Sequence, residues 1–119
     1  MSISGKSLYI HIPFCKKKCP YCHFYSIFPR NETLIKSFVD ALVLEIKRAS
    51  IPGSVLSIYF GGGTPSLIGP ANISYLLENI SNISTTCEIT LETNPDDEKK
   101  KKMRAFKKAG INRISIGVQ

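Results

Sequence analysis

The residues with the most evident chemistry are three cysteines close together, Cys15, Cys19 and Cys22, in a CxxxCxxC spacing. Two tight turns of the chain can aim three thiolates at one point, which suits a metal centre better than a disulfide. Cysteine thiolates hold iron–sulfur clusters, and three ligands for a 4Fe–4S cluster leave one iron without a protein ligand. An iron in that state can bind a small molecule. The spacing therefore predicts a metal centre with one open position.

A zinc site is the alternative that the spacing leaves open, with His23 or His11 as the fourth ligand. His23 directly follows Cys22, so pointing both side chains at one metal requires unusual backbone geometry. His11 is a possible ligand, although it lies on a predicted strand. Cys87 stands alone at the start of another predicted strand, and we expect it to be a small apolar core residue.

The composition is that of one globular domain. The chain has 119 residues, of which 43% are hydrophobic and 21% charged. No apolar run approaches the roughly 20 residues of a membrane-spanning helix, and no apolar signal core precedes the cysteines. Four cysteines in a chain without an export signal favour metal or redox chemistry over structural disulfides. We therefore expect a cytoplasmic protein without a transmembrane segment.

The formal net charge of +7 is, taken alone, compatible with nucleic-acid binding. The distribution of the basic residues favours another explanation. The lysines at 99–102 and 107–108 lie on one predicted helix, and we interpret them as a solvated face. The lysines at 16–18 lie between the cysteines, where they either offset the negative charge of a cluster or form an exposed loop. Nucleic acid is not an expected partner.

Four apolar strands alternate with three helical patterns along the chain. The predicted strands span residues 8–12, 55–60, 87–92 and 111–119. Helices are predicted from Asn31 to near Ser50, over the apolar spacing of residues 73–80, and from the acidic residues 96–98 to Gly110. This β-α-β-α-β-α-β order predicts an α/β fold with about four parallel strands and three helices.

Chemistry-bearing residues follow the carboxyl end of every predicted strand. The cysteine segment follows the first strand, and a Gly-Gly-Gly-Thr-Pro-Ser run at 61–66 follows the second. Glu92 closes the third strand and Gln119 closes the fourth. Ligands of parallel α/β sheets collect outside the carboxyl ends of the strands. The sequence therefore predicts one binding edge to which all four segments contribute.

Cys15, Cys19 and Cys22, with the aromatic Tyr21 before the last cysteine, resemble the signature of the radical S-adenosylmethionine (SAM) superfamily. The longer string Tyr-Ile-His-Ile-Pro-Phe-Cys, from Tyr9 to Cys15, is similar to the branch of coproporphyrinogen dehydrogenases and HemW-type haem chaperones. The resemblance implies that the three cysteines hold a 4Fe–4S cluster whose open iron chelates SAM. It also implies chemistry that begins with reductive cleavage of SAM.

The same resemblance implies a set of SAM-binding residues. The run Gly-Gly-Gly-Thr-Pro at 61–65 looks like the superfamily's glycine-rich element, which contacts the amino group of SAM. The family also places a glutamate, a glutamine and two aromatic residues near the cofactor at positions that this chain matches, whereas we expect Arg113 to be structural. The implied SAM contacts are Tyr9, Tyr21, Gly62, Gly63, Thr64, Glu92 and Gln119.

One position distinguishes the coproporphyrinogen dehydrogenases from the haem chaperones. Coproporphyrinogen dehydrogenases carry an extra cysteine two residues after the last cluster ligand, and this chain has Phe24 there. The difference favours the haem chaperones, which are linked to haem binding and transfer, with an oxygen-independent coproporphyrinogen III oxidase as the alternative. The implied partners are haem or a porphyrin and an electron donor such as flavodoxin or ferredoxin.

The resemblance covers this chain but only the front of the superfamily's fold. A complete (β/α)8 barrel needs about 250 residues, and the six-unit partial barrel of radical SAM proteins also exceeds this length. We therefore expect residues 1–119 to be the N-terminal part of a radical SAM core, without the later barrel units and the C-terminal domain. Three hypotheses follow: a functional front half completed by a second chain, an inactive remnant, and a zinc-binding module.

Overall fold

The computed structural model describes residues 1–14, 32–49, 51, 53–93 and 100–116. The strands are β1 (Ser2–Ser4), β2 (Ser7–Ile12), β3 (Val55–Gly62), β4 (Ile83–Thr93) and β5 (Arg113–Ile116). The helices are α1 (Glu32–Arg48), α2 (Gly69–Glu78) and α3 (Lys100–Ala109), and a short 3₁₀ helix, Pro65–Ile68, precedes α2. The predicted alternation of strands and helices from β2 to β5 is confirmed.

One sheet contains all five described strands in the order β1-β2-β3-β4-β5. Strands β2 to β5 are parallel, and β1 is antiparallel to β2, to which a tight turn through Gly5 (φ 58°) joins it. Strand β1 and the 3₁₀ helix were not predicted from the sequence, and β4 begins four residues before its predicted start. The count of about four parallel strands with three helices is otherwise correct.

The hydrophobic core lies between one face of the sheet and the helices. Alternate residues of each strand point to this face, as the two-residue period of a strand requires. Leu8, Ile10 and Ile12 of β2 are at most 2% exposed, and they belong to one buried cluster with residues of all three helices. Cys87 is 5% exposed in the same cluster, so its prediction as a core residue is confirmed.

The opposite face of the parallel strands, here called the open face, is mainly polar. It carries the other set of alternate residues, and the strand register arranges them in rows across the sheet. The middle row consists of Tyr9, Tyr59, Thr90 and Arg113. The upper row, nearer the carboxyl ends of the strands, consists of His11, Gly61, Glu92 and Ser115.

The start of β5 is fixed by Asn112. Its side chain accepts a hydrogen bond from the Ile89 N–H and donates one to the Cys87 carbonyl, both at 2.8 Å. Its own N–H donates to the Ile89 carbonyl at 3.0 Å. These bonds extend the contact of β4 and β5 to the residue before Arg113, and so they fix the position of Arg113 along the open face.

Among the residues described above, no helix has both the length and the apolar character needed to cross a bilayer.

Candidate functional site

The predicted binding edge is partly within the described residues. Gly62, Gly63, Thr64 and Glu92 lie at or near the carboxyl ends of β3 and β4, and Tyr9 lies in the middle of β2 with its hydroxyl reaching Gly61. The other predicted site residues lie outside the described residues; these are Cys15, Cys19, Cys22, Tyr21 and Gln119, together with His23 of the zinc alternative.

Phe14, the residue before the cysteine segment, is firmly held. Its side chain is 1% exposed and packs edge-to-face on Phe38 of α1, with ring centroids 5.3 Å apart and an interplanar angle of 81°. Its carbonyl accepts a hydrogen bond from the Thr64 N–H at 2.6 Å. The chain therefore enters the cysteine segment from a fixed point between α1 and the glycine-rich loop.

The N–H groups of the glycine-rich loop donate hydrogen bonds to acceptors within the protein. The Gly62 N–H donates to Oε1 of Glu92 at 3.2 Å, and the Gly63 N–H donates to the Ile12 carbonyl at 2.9 Å. With the bond from Thr64 to Phe14, three successive N–H groups tie β3 to β2 and β4. The loop is thus left to meet a ligand through carbonyl oxygens, which suit an ammonium group and not an anion.

Gly61 lies under two functional side chains. A Cβ on Gly61 would lie 2.6 Å from the Tyr9 hydroxyl and 2.7 Å from Oε1 of Glu92. The two polar groups therefore converge over this residue, and only the absence of a side chain leaves room for them. The sequence analysis chose Gly62 and Gly63 but not Gly61. The signal that identifies Gly61 is its place beside Tyr9 and Glu92 on the same face of the sheet.

Gly62 is a glycine for a different reason. Its φ is 116°, a conformation that other residues adopt only with strain. A Cβ there would also collide with the Ile12 carbonyl and lie 3.0 Å from Cε1 and Nδ1 of His11. The imidazole of His11 thus lies against the glycine-rich loop, on the open face.

Tyr9 is 37% exposed on the open face and is not a core residue. Its ring stacks on that of Tyr59 with centroids 5.8 Å apart and an interplanar angle of 15°. Partial burial raises the pKa of the Tyr9 phenol, and the neighbouring Glu92 carboxylate and Tyr59 raise it further. Tyr9 therefore keeps its proton well into the alkaline range and remains available as a hydrogen-bond donor.

The proximity of Glu92 to Tyr9 has a measurable consequence. Glu92→Gln removes the carboxylate charge, so we expect the pKa of Tyr9 to fall, yet to stay above its ordinary value because burial is the largest cause of the shift. Since the folded-state pKa is raised, the associated stability is complete below the unfolded pKa and is lost as pH rises through the folded value. In Glu92→Gln the folded-state pKa of Tyr9 lies closer to the unfolded value, so the pH range over which this stability is lost becomes narrower.

Ultraviolet titration of phenolate absorbance measures this pKa. The difference between the parent and Tyr9→Phe isolates Tyr9 from the other tyrosines, and the same subtraction is made in the Glu92→Gln background. An unchanged titration of Tyr9 in Glu92→Gln would show that the carboxylate does not act on the phenol.

Two threonines at this edge are buried. Thr64, a predicted SAM contact, is 6% exposed, so its side chain offers a ligand little surface. Thr93 is 5% exposed, and its Oγ1 has no hydrogen-bond partner among the described residues. The described part of the edge therefore presents mainly Tyr9, Glu92 and the glycine backbone.

Comparison with known proteins identifies the class to which this fold and edge belong. The family model of the radical SAM superfamily matches residues 9–119, and the chain belongs to that superfamily. Radical SAM proteins in general use a 4Fe–4S cluster and SAM. The predicted membership is confirmed.

Within the superfamily, the chain is similar to haem chaperones. It is 44% identical to the heme chaperone HemW of Buchnera aphidicola and 40% identical to that of Escherichia coli, with 95% of this chain and 32% of each relative covered. It is also 40% identical to the mitochondrial radical S-adenosyl methionine domain-containing protein 1 of Danio rerio, over 95% of this chain and 27% of that protein. The chain thus spans about a third of the length of these relatives.

A solved structure gives the fold. The coproporphyrinogen III oxidase HemN of Escherichia coli, described as a radical SAM enzyme, superposes with a TM-score of 0.81 at 34% sequence identity. The match covers 95% of this chain and 27% of that enzyme. The five-stranded, mostly parallel sheet with its helices is therefore part of a radical SAM fold, as predicted.

Proposed function

We propose that this chain is the cluster- and SAM-binding part of a haem chaperone similar to HemW. The observation that carries the proposal is the convergence of Tyr9 and Glu92 over Gly61, at the edge where Phe14 leads into the cysteine segment. Cys15, Cys19 and Cys22 are the proposed cluster ligands. Tyr21 and Gln119 complete the proposed SAM site.

The described residues fit the amino group of SAM. A carboxylate and a phenol converge directly over Gly61, beside a loop whose peptide carbonyls are further acceptors. A carboxylate and carbonyl acceptors are the groups that an ammonium ion needs. The bond from the Gly62 N–H fixes Oε1 of Glu92, which leaves its second oxygen as the proposed acceptor for the ligand.

The chain's own residues orient SAM and exclude water. The ring of Tyr9, supported by Tyr59, gives a ligand an aromatic surface beside the carboxylate. The buried neighbourhood of Phe14 and Thr64 closes the edge between β2 and β3. When bound, a 4Fe–4S cluster with SAM supplies one-electron and radical chemistry, which the side chains of the protein do not provide.

The haem chaperone is favoured over the dehydrogenase by two observations. Phe24 occupies the position at which the dehydrogenases carry an extra cysteine. Several relatives at 36–44% identity are named heme chaperone HemW. The likeness to coproporphyrinogen III oxidase favours the alternative, an oxygen-independent oxidase of porphyrin biosynthesis. Haem or a porphyrin is the proposed ligand in either case.

The same proposal includes partners. On the helix-covered face of β5, Ile114 is 36% and Ile116 is 45% exposed, whereas the neighbouring Leu91 of β4 is fully buried. This supports a further strand and helix of the barrel packing there, from a longer chain or from a second chain. We propose that residues 1–119 are the N-terminal part of a radical SAM core.

The proposed electron donor, which reduces the cluster, is a flavodoxin or ferredoxin. The proposed location is the cytoplasm, where thiolates stay reduced.

Two assays on the same anaerobically reconstituted protein test the function. The proposal predicts transfer of bound haem to an apo-haemoprotein and no decarboxylation of coproporphyrinogen III. Decarboxylation without haem transfer would establish the alternative, and neither activity would make the chain an inactive remnant. Replacing Cys15, Cys19 and Cys22 by alanine should abolish cluster binding, whereas Cys87→Ala, the matched control in the core, should retain it.

A further inference from the structure

The open face carries an ion pair that the proposed SAM site leaves unused, between Arg113 of the middle row and Glu88 of the row below it. Nη1 of Arg113 on β5 contacts Oε1 of Glu88 on β4. Both side chains are accessible, at 63% and 51% exposed. Arg113 is the only lysine or arginine among the described residues of the open face. Its guanidinium has five N–H donors, which suit a carboxylate in bidentate geometry.

The rest of the middle row suits a flat aromatic ligand. Tyr9 and Tyr59 form a stacked aromatic pair at one end, and Arg113 lies at the other. Thr90 lies between them in the register, but it is 2% exposed, so a ligand along this row would contact the flanking side chains and not Thr90. Three strand spacings separate β2 from β5, so the row is about 14 Å wide. An aromatic surface at one end and a cation at the other complement a conjugated ring that carries carboxylates.

We propose that Arg113 binds a propionate carboxylate of the tetrapyrrole, which takes the place of Glu88, while the ring packs toward Tyr59. This inference rests on the proposed function, because it names the group of haem or porphyrin that the chain recognises. Glu88 then acts as an internal competitor that holds the guanidinium in the unliganded protein. Exchange is feasible because an exposed ion pair contributes little net stability, so a propionate can replace the carboxylate of Glu88 on the guanidinium at small cost.

Substitutions of the two residues of the ion pair are expected to change the haem affinity in opposite directions. Arg113→Gln removes the ligand's partner, so we expect haem to bind about tenfold more weakly, the loss typical of a hydrogen bond to a charged group. Glu88→Gln removes the competitor, so haem should bind more tightly. Neither substitution should change the affinity for haem dimethyl ester, in which both carboxylates are blocked.

Titration of the chain with ferric haem and with its dimethyl ester, followed by absorbance, measures these affinities. Lys36→Gln and Asp40→Asn are the matched controls, since they break an exposed ion pair on α1, where the charged groups are 3.8 Å apart. Both should bind the two ligands as the parent does. Arg113→Lys keeps the positive charge but not the bidentate guanidinium, so it should recover only part of the haem affinity. It is also the second variant to use if Arg113→Gln folds poorly.

The outcomes separate the inference from the function on which it rests. Weaker haem binding by both Arg113→Gln and Glu88→Gln, or an equal loss for the ester, would mean that the pair only aligns β4 and β5, and the inference would be overturned. Haem binding that is unaffected by either change overturns the inference while the proposed function stands. No haem binding by the parent overturns both.

Discussion

Gly61→Ala is expected to weaken SAM binding strongly while leaving the fold largely intact. The added methyl would lie 2.6 Å from the Tyr9 hydroxyl and 2.7 Å from Oε1 of Glu92, closer than real contacts allow. The three nearest atoms all belong to the side chains of Tyr9 and Glu92 and none to the backbone, so these side chains must turn aside while the backbone can stay in place. The substitution should therefore displace the two groups that form the proposed ammonium site.

The expected loss in SAM affinity is at least about tenfold, because a hydrogen bond to a charged group contributes about 1.5–3 kcal/mol. Equilibrium dialysis of the reconstituted protein measures the affinity, and thermal unfolding checks the fold. Ser115→Ala is the control, since Ser115 lies in the same row without bounding the space over Gly61. Parent-like affinity in Gly61→Ala would show that SAM does not bind over this residue.

Phe14→Ala is expected to lower the stability of the fold substantially and to loosen the attachment of the cysteine segment. Phe14 is 1% exposed and packs on Phe38, so its truncation leaves a cavity between β2 and α1. Such truncations cost about 3–5 kcal/mol. Because Phe14 immediately precedes Cys15, we also expect the variant to lose reconstituted iron more readily than the parent, even under conditions in which it is folded.

Urea unfolding and iron analysis after gel filtration measure the two effects. Phe106→Ala is the matched control, because Phe106 is fully buried on α3, outside the entry to the cysteine segment. It should be destabilised to a similar extent but retain its iron while folded. If Phe14→Ala does not fold, Phe14→Leu provides a milder cavity. Equal iron retention in the Phe14 and Phe106 variants would refute a special role for Phe14.

The main strands and helices could be predicted because their apolar residues follow clear periods. Ile10, Ile58 and Leu91 lie in short apolar stretches bounded by turn residues, which the sequence marks as strands, and in the structure they are buried on the covered face of the sheet. β1 was missed because Ser2–Ser4 is too short to show a period and is exposed throughout. The start of β4 was missed because Ile83 is followed by three polar residues, which no apolar pattern marks as a strand.

The candidate site could be predicted only in part, because a resemblance names single positions and not their distances. Tyr9 and Glu92 were predicted as SAM contacts, which stays a prediction, and the structure places both side chains over Gly61. Gly61 was predicted as part of the glycine-rich element but not as a single contact, because its constraint comes from two side chains on other strands. Arg113 was expected to be structural, and its relation to Glu88 becomes visible only with the register of β4 and β5.

The most direct test of the central claim is anaerobic reconstitution with iron and sulfide, followed by electron paramagnetic resonance of the reduced protein with and without SAM. The proposal predicts about four irons per chain and a spectrum that changes when SAM is added, because SAM binds the iron that no cysteine holds. Bound zinc, the absence of a stable cluster, or a cluster spectrum indifferent to SAM would contradict it.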